Sequence, residues 1–394
     1  MKPLAVVDYT LVTALGAGRA ATLGALQASR SGLARQRFET ADVDSWLGVA
    51  AGVDEVVLAE DLAAFDCRNN RLAELALRAD SFGERVRHAA RRWGAARVGV
   101  FLGTSTSGIL QTEMAYRHRD PASGALPAGL HYGETHNTYS VSRYVRAAMG
   151  LTGPAYVVST ACSSSAKVFA AAARMIDAGV VDAAVVGGVD SLCLTTLYGF
   201  KSLELVSSDI CRPWDAQRNG LSLGEAAAFA LVERDADGVM AWLLGAGESS
   251  DGHHMSSPHP QGAGAAAAMR GALAQAALQA GDVDYLNLHG TGTPGNDAAE
   301  DMAVAAVFGT ALPCSSTKGF TGHTLGAAGG VEAAIAMLAL QHGFMPAGLN
   351  LIDQDPALRT HYLRQRREQT LRVAASNSFG FGGSNACLVF GAAR

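Results

Sequence analysis

Tyr156-Val157-Val158-Ser159-Thr160-Ala161-Cys162-Ser163-Ser164-Ser165-Ala166-Lys167 is the stretch on which the fold turns. A short β-branched run stops at Ser159, and an alanine-rich helical pattern begins beyond Cys162. A strand-to-helix junction of this kind sets a side chain over the first helical turn, where backbone N–H groups are free and the positive end of the dipole lies. That field favours thiolate, the reactive form of cysteine. A lone Cys among small residues is more often packed and inert. The partners supplied by the rest of the chain decide between the two readings.

Outward from this junction, strand-like runs alternate with alanine-rich helical stretches, the pattern of an α/β protein. The spacing predicts a first strand at the N-terminus up to Asp8, then strands over 96–102, 183–186 and 227–232. It predicts a helix from Cys162 to about Ala178, closed by Gly179. A second half begins again near Met240, with strands over 285–289, 314–317, 374–376 and 387–390 and a helix over 325–342. The strand–turn–helix units around Cys162 and around 318–325 look like counterparts, which points to an internal duplication. The division falls at 1–238, the half with the nucleophile, and 239–394.

Composition narrows the classes. With 394 residues and 49% hydrophobic content, the chain can bury a large core. Only 17% of residues are charged while 45 are glycine, which suits tightly packed layers and an oligomer interface. A net charge of -5 argues against nucleic acid or a membrane surface as partner. The cysteines at 67, 162, 193, 211, 314 and 387 show no C-x-x-C pair, as expected of free thiols in the cytoplasm. Neither a signal-peptide core nor an apolar run long enough to span a bilayer is found.

Three segments of the second half gather polar residues in glycine-rich surroundings: Asn287 to Pro294, Ser315 to Gly326, and Asn377 to Asn385. Each places a His, a Lys or a closely approached backbone at a strand end, where α/β sheets hold their sites. His289 and His323 beside a thiolate would suit thioester chemistry. Glu332 sits within the apolar helical run Gly330 to Leu338, where a buried carboxylate needs a partner, and Lys318 is the candidate. His253, His254 and His259 lack the Cys or carboxylate spacing that completes a zinc site. A P-loop, a dinucleotide fingerprint and a G-x-S-x-G elbow are all missing.

Read together, the motifs resemble those of the β-ketoacyl-acyl carrier protein synthases, condensing enzymes of the thiolase superfamily. The resemblance rests on Thr160 to Ser164, Arg212-Pro213-Trp214-Asp215 with Gly224-Glu225, Asp251 to Pro258, His289 to Pro294 with Asn296-Asp297 and Glu300, Ser316 to Gly329, and Asn377 to Gly383. It spans nearly the whole chain. It implies an α/β thiolase fold, five-layered αβαβα with two duplicated halves. It also implies a ping-pong decarboxylative Claisen condensation in fatty acid, polyketide or aryl polyene chain elongation. The Cys-His-His set is that of the elongating type.

By the same resemblance, Cys162, His289, His323, Lys318 and Glu332 are the catalytic set, with Lys318 and Glu332 a buried pair that holds His323. The backbone N–H groups of Cys162 and Phe381 form the oxyanion hole, and Phe379 and Phe381 belong to a gate. Thr291 and Thr293 contact the phosphopantetheine arm, Asp251 and His254 lie in a second gating loop, and Thr106 lines the acyl tunnel. Arg68 and Arg71 fall where relatives dock acyl carrier protein. No metal or other cofactor is implied. The implied partners are acyl carrier protein and, as homodimer or heterodimer, a second copy or a chain-length factor. Departures stand at Val7 to Thr10, Thr106, Tyr132 to Asn137 and Lys167; a polar Thr106 hints at a polyene-type chain. The rival readings are a chain-length-factor-like subunit and a Cys-His hydrolase or acyltransferase that never condenses.

Overall fold

Strands rich in small and β-branched residues need cover on both faces, and alanine-rich helices supply it at close range. The computed structural model describes residues 1–393. Its ten principal strands are β1 (Leu4–Thr13), β2 (Val98–Gly103), β3 (Ala155–Val158), β4 (Ala183–Asp190), β5 (Ala226–Glu233), β6 (Ala241–Ser250), β7 (Tyr285–Asn287), β8 (Pro313–Ser315), β9 (Val373–Gly380) and β10 (Ser384–Ala392). They form two sets of five, in the order β3-β2-β4-β5-β1 and β8-β7-β9-β10-β6. The sense of pairing repeats from one set to the other. β5 is antiparallel to β1 and β4, as β10 is to β6 and β9. β2 runs parallel to β4 and β3, as β7 does to β9 and β8. The halves are duplicates, and antiparallel pairing of β1 with β6 (Leu4 opposite Leu243, Val6 opposite Ala241) joins them.

Between the sheets lie α4 (Ser164–Asp177) and α7 (Ala328–His342). Every residue of α7 from Ala328 to Leu340 is buried, so this helix has no amphipathic stripe and reads as apolar all round. One core joins these helices to the inner faces of both sheets, through Phe169, Val186, Ile335 and Phe390. A second lies under α1 (Arg68–Arg78), α2 (Phe82–Trp93) and α3 (Ser140–Ala148), through Leu72, Val86 and Tyr144. A third lies under α5 (Ala263–Ala276) and α6 (Pro294–Phe308), through Met269 and Val304. Helix, sheet, helix, sheet, helix: the five layers are those the resemblance implies.

The strands run longer than their apolar cores suggest. β4 continues through Gly187-Gly188 to Asp190, although a glycine pair reads as a turn. Gly187 has φ +125°, and a Cβ there would stand 2.0 Å from the carbonyl oxygen of Ala228, so the strand needs glycine to lie against β5. β9 likewise extends through polar Asn377 and Ser378 to Gly380, paired with β10 as far as Ser384. β7 is shorter than expected and stops at Asn287, which leaves His289 on the loop beyond it.

Candidate active site

The loops that follow β3, β7, β8 and β9 converge at one end of the two sheets, outside the carboxyl ends of their parallel strands. After β3 the chain turns through Ala161, a non-glycine residue at φ +53°, and enters α4 two residues beyond Cys162. Backbone in that region is strained and persists only where its surroundings hold it. Here Thr160 N donates to Ser164 Oγ at 2.9 Å, and Ser163 Oγ donates to the Thr160 carbonyl at 2.9 Å. The turn aims the buried Cys162 thiol across the interface between the halves, and its Sγ lies 2.9 Å from His323 Nε2.

His323 is carried by the second half but its backbone is fixed by the first. His323 N donates to the Ser222 carbonyl at 2.7 Å, and Gly224 N donates to the His323 carbonyl at 3.0 Å. His289 stands beside it, the two imidazole centroids 5.3 Å apart and nearly perpendicular. Donor atoms of Cys162, His289 and His323 all lie within 4.8 Å of one another. The structure therefore assembles the three residues that the sequence singles out.

Lys318 follows β8, the parallel neighbour of β7, so its side chain reaches the end of the adjacent strand. Its Nζ lies 3.4 Å from His289 Nδ1 and donates to the His289 carbonyl and to Glu332 Oε1. The buried Lys318–Glu332 pair is thus present but holds His289, not His323 as expected. His323 Nδ1 has no hydrogen-bond partner among the described residues. Glu300 completes the support: it accepts from His289 N at 2.8 Å, Gly290 N at 2.7 Å and Asn377 Nδ2 at 3.1 Å. In the sequence Glu300 stands only as part of the motif that follows His289, with no role of its own. Its signal was a carboxylate grouped with Asp297 and Asp301 on the buried side of α6.

Burial sets the charge state of the site. It pushes the Cys162 thiol up to about 12, opposed by the Lys318 ammonium and by the Phe381 backbone N–H, and reinforced by Asp190 and Glu332. The thiolate expected from the helix dipole alone is therefore outweighed by desolvation. Burial first, then the Lys318 ammonium, holds both histidines well below the ordinary imidazole range, with His323 adding to the effect on His289. Both rings are neutral near pH 7. Burial likewise lifts Glu332 to about 7 against the pull of Lys318.

At the end of β9, Gly380 passes so close to the nucleophile turn that a Cβ would meet the Thr160 carbonyl oxygen at 2.5 Å and Cys162 N at 3.2 Å. That approach carries Phe381 N–H to the sulfur. The Phe379 ring packs 5.6 Å from the His289 ring, and the Phe381 ring 5.5 Å from Phe200. A cavity of about 410 Å³ opens onto the triad, lined among others by Thr291, Thr293, Phe381 and Asp251. Thr291 Oγ1 and Thr293 Oγ1 are 2.8 Å apart on its wall. Asp251 accepts from Asn385 Nδ2 at 2.7 Å, and Gly382 N donates to the Met255 carbonyl at 2.8 Å, so the loop after β6 is tied to the loop after β9.

One expected assignment, Arg68, is corrected, and two further residues stand apart from this cavity. Arg68 has a side chain only 9% exposed, bonded to the buried Glu225 through Nε at 2.8 Å and Nη2 at 2.6 Å, and to Asp54. Glu225 in turn accepts from Ala50 N and Leu192 N, each at 3.1 Å. Arg68 is an internal strut and is not offered to a partner. Thr106 does not line this cavity: it is buried, and its hydroxyl donates to Asp190 at 2.8 Å. His254 is exposed outside the cavity, its Nδ1 accepting from Ser256 N and Ser257 N at 3.2 Å. Arg71 pairs with Asp66 at the surface.

Comparison with known proteins fits this geometry. The beta-ketoacyl synthase N-terminal domain matches residues 83–238, and the C-terminal domain of the same family matches residues 240–352. A mitochondrial 3-oxoacyl-[acyl-carrier-protein] synthase of Arabidopsis thaliana is 39% identical over 271 residues, 63% of this chain and 59% of that protein. Nodulation protein E of Rhizobium meliloti is 36% identical over 308 residues, 75% of this chain and 76% of that one. The chain thus spans less than two thirds of the Arabidopsis relative and about three quarters of the Rhizobium one. Among solved structures, a chain from the complex of a ketosynthase with its chain length factor from Xenorhabdus doucetiae superposes with a TM-score of 0.91 at 35% identity, covering 99% of this chain and 98% of that chain. A chain of the ishigamide ketosynthase/chain length factor gives 0.89 at 25% identity, with 100% and 99% covered.

Proposed function

The chain belongs to the beta-ketoacyl synthase family, and from that premise we propose that it joins an acyl group held on Cys162 to a malonyl unit delivered by acyl carrier protein. The observation that carries this reading is the 2.9 Å approach of Cys162 Sγ to His323 Nε2, with His289 alongside and a cavity leading to all three. Hydrolysis needs one histidine at most. Two neutral imidazoles facing one thiol suit a reaction in which an enolate oxygen has to be held.

In the first half-reaction the Cys162 sulfur bonds to the acyl carbonyl carbon, the carbon–sulfur bond to the carrier breaks, and the thiol proton leaves with the carrier thiolate. Negative charge on the carbonyl oxygen is met by the backbone N–H groups of Cys162 and Phe381. In the second, the bond between the malonyl carboxylate and its α-carbon breaks and carbon dioxide leaves. His289 and His323 hold the enolate oxygen left behind. The enolate carbon then bonds to the acyl carbonyl carbon, and Cys162 thiolate departs from a 3-oxoacyl carrier thioester. Lys318, fixed by Glu332, steadies His289 and keeps it unprotonated. Release of carbon dioxide supplies the driving force, so the reading calls for no cofactor. Thr291 and Thr293 line the path of the thioester arm.

We place the activity in polyketide or polyene chain elongation in the cytoplasm, with a chain length factor as partner. The ketosynthase–chain length factor complexes from Xenorhabdus doucetiae and of the ishigamide system support the partner. So does β3, an edge strand whose four residues are all half-buried with no strand beyond it among the described residues. Six free cysteines suit a reducing compartment, and no helix among the described residues is long and apolar enough to cross a membrane. The test is reconstitution with acyl- and malonyl-carrier protein, with and without the co-expressed partner. A 3-oxoacyl carrier product supports the reading. Loaded carrier returned only as free acid, with no new carbon–carbon bond, overturns it.

A further inference from the structure

Asp190, the last residue of β4, is buried with no cationic partner among the described residues, an arrangement that normally costs several kcal/mol. It is held instead by neutral donors. Oδ1 accepts from Thr104 Oγ1 at 2.6 Å, Ser105 N at 2.9 Å, Thr106 N at 2.9 Å and Thr106 Oγ1 at 2.8 Å. Oδ2 accepts from Ser105 Oγ and from Gly326 N. Five of the six donors belong to the loop after β2 in the first half; the sixth, Gly326 N, lies three residues beyond His323 in the second half.

The contact at Gly326 is close. A Cβ there would stand 2.6 Å from Asp190 Oδ2 and 2.8 Å from Ser105 N, and the preceding Leu325 sits at φ +53°. The segment that carries His323 is therefore pinned twice to the half that carries Cys162. Ser222 and Gly224 hold it at His323 itself, and Asp190 holds it at the following turn. A charged acceptor makes this second pin stronger than a neutral one.

We propose that Asp190 is a positioning residue for His323, a carboxylate clamp that sets the distance between imidazole and thiol across the two halves. It touches neither reacting atom. The inference rests on the condensation read above, and it bears on one half-reaction: Asp190 makes no hydrogen bond to Cys162 or Phe381 and its charge only disfavours the thiolate, so its loss does not impair loading, whereas the enolate depends on where His323 stands. An ångström of misplacement in such a group costs about a hundredfold in rate.

The experiment is Asp190→Asn, with acyl transfer to Cys162 and condensation with malonyl-carrier protein measured separately on the same preparation. Loading retained and condensation reduced about a hundredfold is the expected result. Loss of both steps in equal proportion, or of neither, overturns the clamp. Should this variant fail to fold, Thr106→Val removes one donor to the same carboxylate. A smaller fall in the ratio of condensation to loading, with product chain length unchanged, supports the inference; an altered chain length at an unchanged ratio contradicts it and returns Thr106 to the tunnel. Absence of condensation in the unaltered protein would instead defeat the functional reading itself.

Discussion

Lys318 Nζ stands between His289, 3.4 Å from its Nδ1, and the carboxylate of Glu332, and none of the three side chains reaches solvent. Removing one member of a buried pair leaves an unpaired charge, at a cost of about 3–5 kcal/mol. Lys318→Met should therefore lower the melting temperature markedly. Lys318→Met with Glu332→Leu should regain most of that stability without regaining condensation. Calorimetry and turnover on the same samples separate the two effects; recovered activity in the double variant would show that the pair serves only folding.

The same ammonium opposes the burial that holds the Cys162 thiol near 12. Alkylation of Cys162 by iodoacetamide should accelerate steadily from pH 7 to 10, because each step in pH raises the thiolate fraction. A milder change, Lys318→Gln, should slow the reaction at every pH in that range. A plateau below pH 7 would mean that the helix dipole wins over desolvation after all.

The imidazoles of His289 and His323 both have depressed pKa values in the folded chain. The unfolded chain then binds protons first as pH falls, so this stability is present in full above about 6.5 and drains away below it. Melting temperature should fall between pH 6.5 and 5. Replacing His289 and His323 by Gln should flatten that limb, and an unchanged slope in the double variant would assign it to other groups.

Gly380 lies against the nucleophile turn with no room for a methyl group. Gly380→Ala should displace Phe381 N–H and reduce acyl transfer to Cys162 by about 10²–10³, the usual loss for one oxyanion-hole donor. Stopped-flow loading measures this directly, and a variant that loads at the normal rate would remove Phe381 from the oxyanion hole.

The architecture was legible because two features survive without coordinates: the change of period at Cys162, and its echo before α7. The triad was legible because chemistry-bearing residues stood at strand ends among glycines. What escaped depended on distance through space. Arg68 reads as a surface cation on a helix until Glu225, far along the chain, is seen to accept two of its hydrogen bonds. Lys318 was paired correctly with Glu332, but its third neighbour was misjudged, since only the parallel alignment of β7 with β8 brings it under His289. Asp190 gave no signal, because its donors are ordinary Ser and Thr residues on another loop.

The central claim is a thiol and an imidazole from opposite halves working on one substrate. Intact-protein mass measurement after exposure to acyl-carrier protein, then to malonyl-carrier protein, tests it most directly. Cys162→Ala should take up no acyl group. His323→Ala should gain one on Cys162 and hold it, with release into 3-oxoacyl product slowed by about 10²–10⁴. An acyl group found on another residue, or a His323→Ala protein that discharges it at the normal rate, would contradict the account.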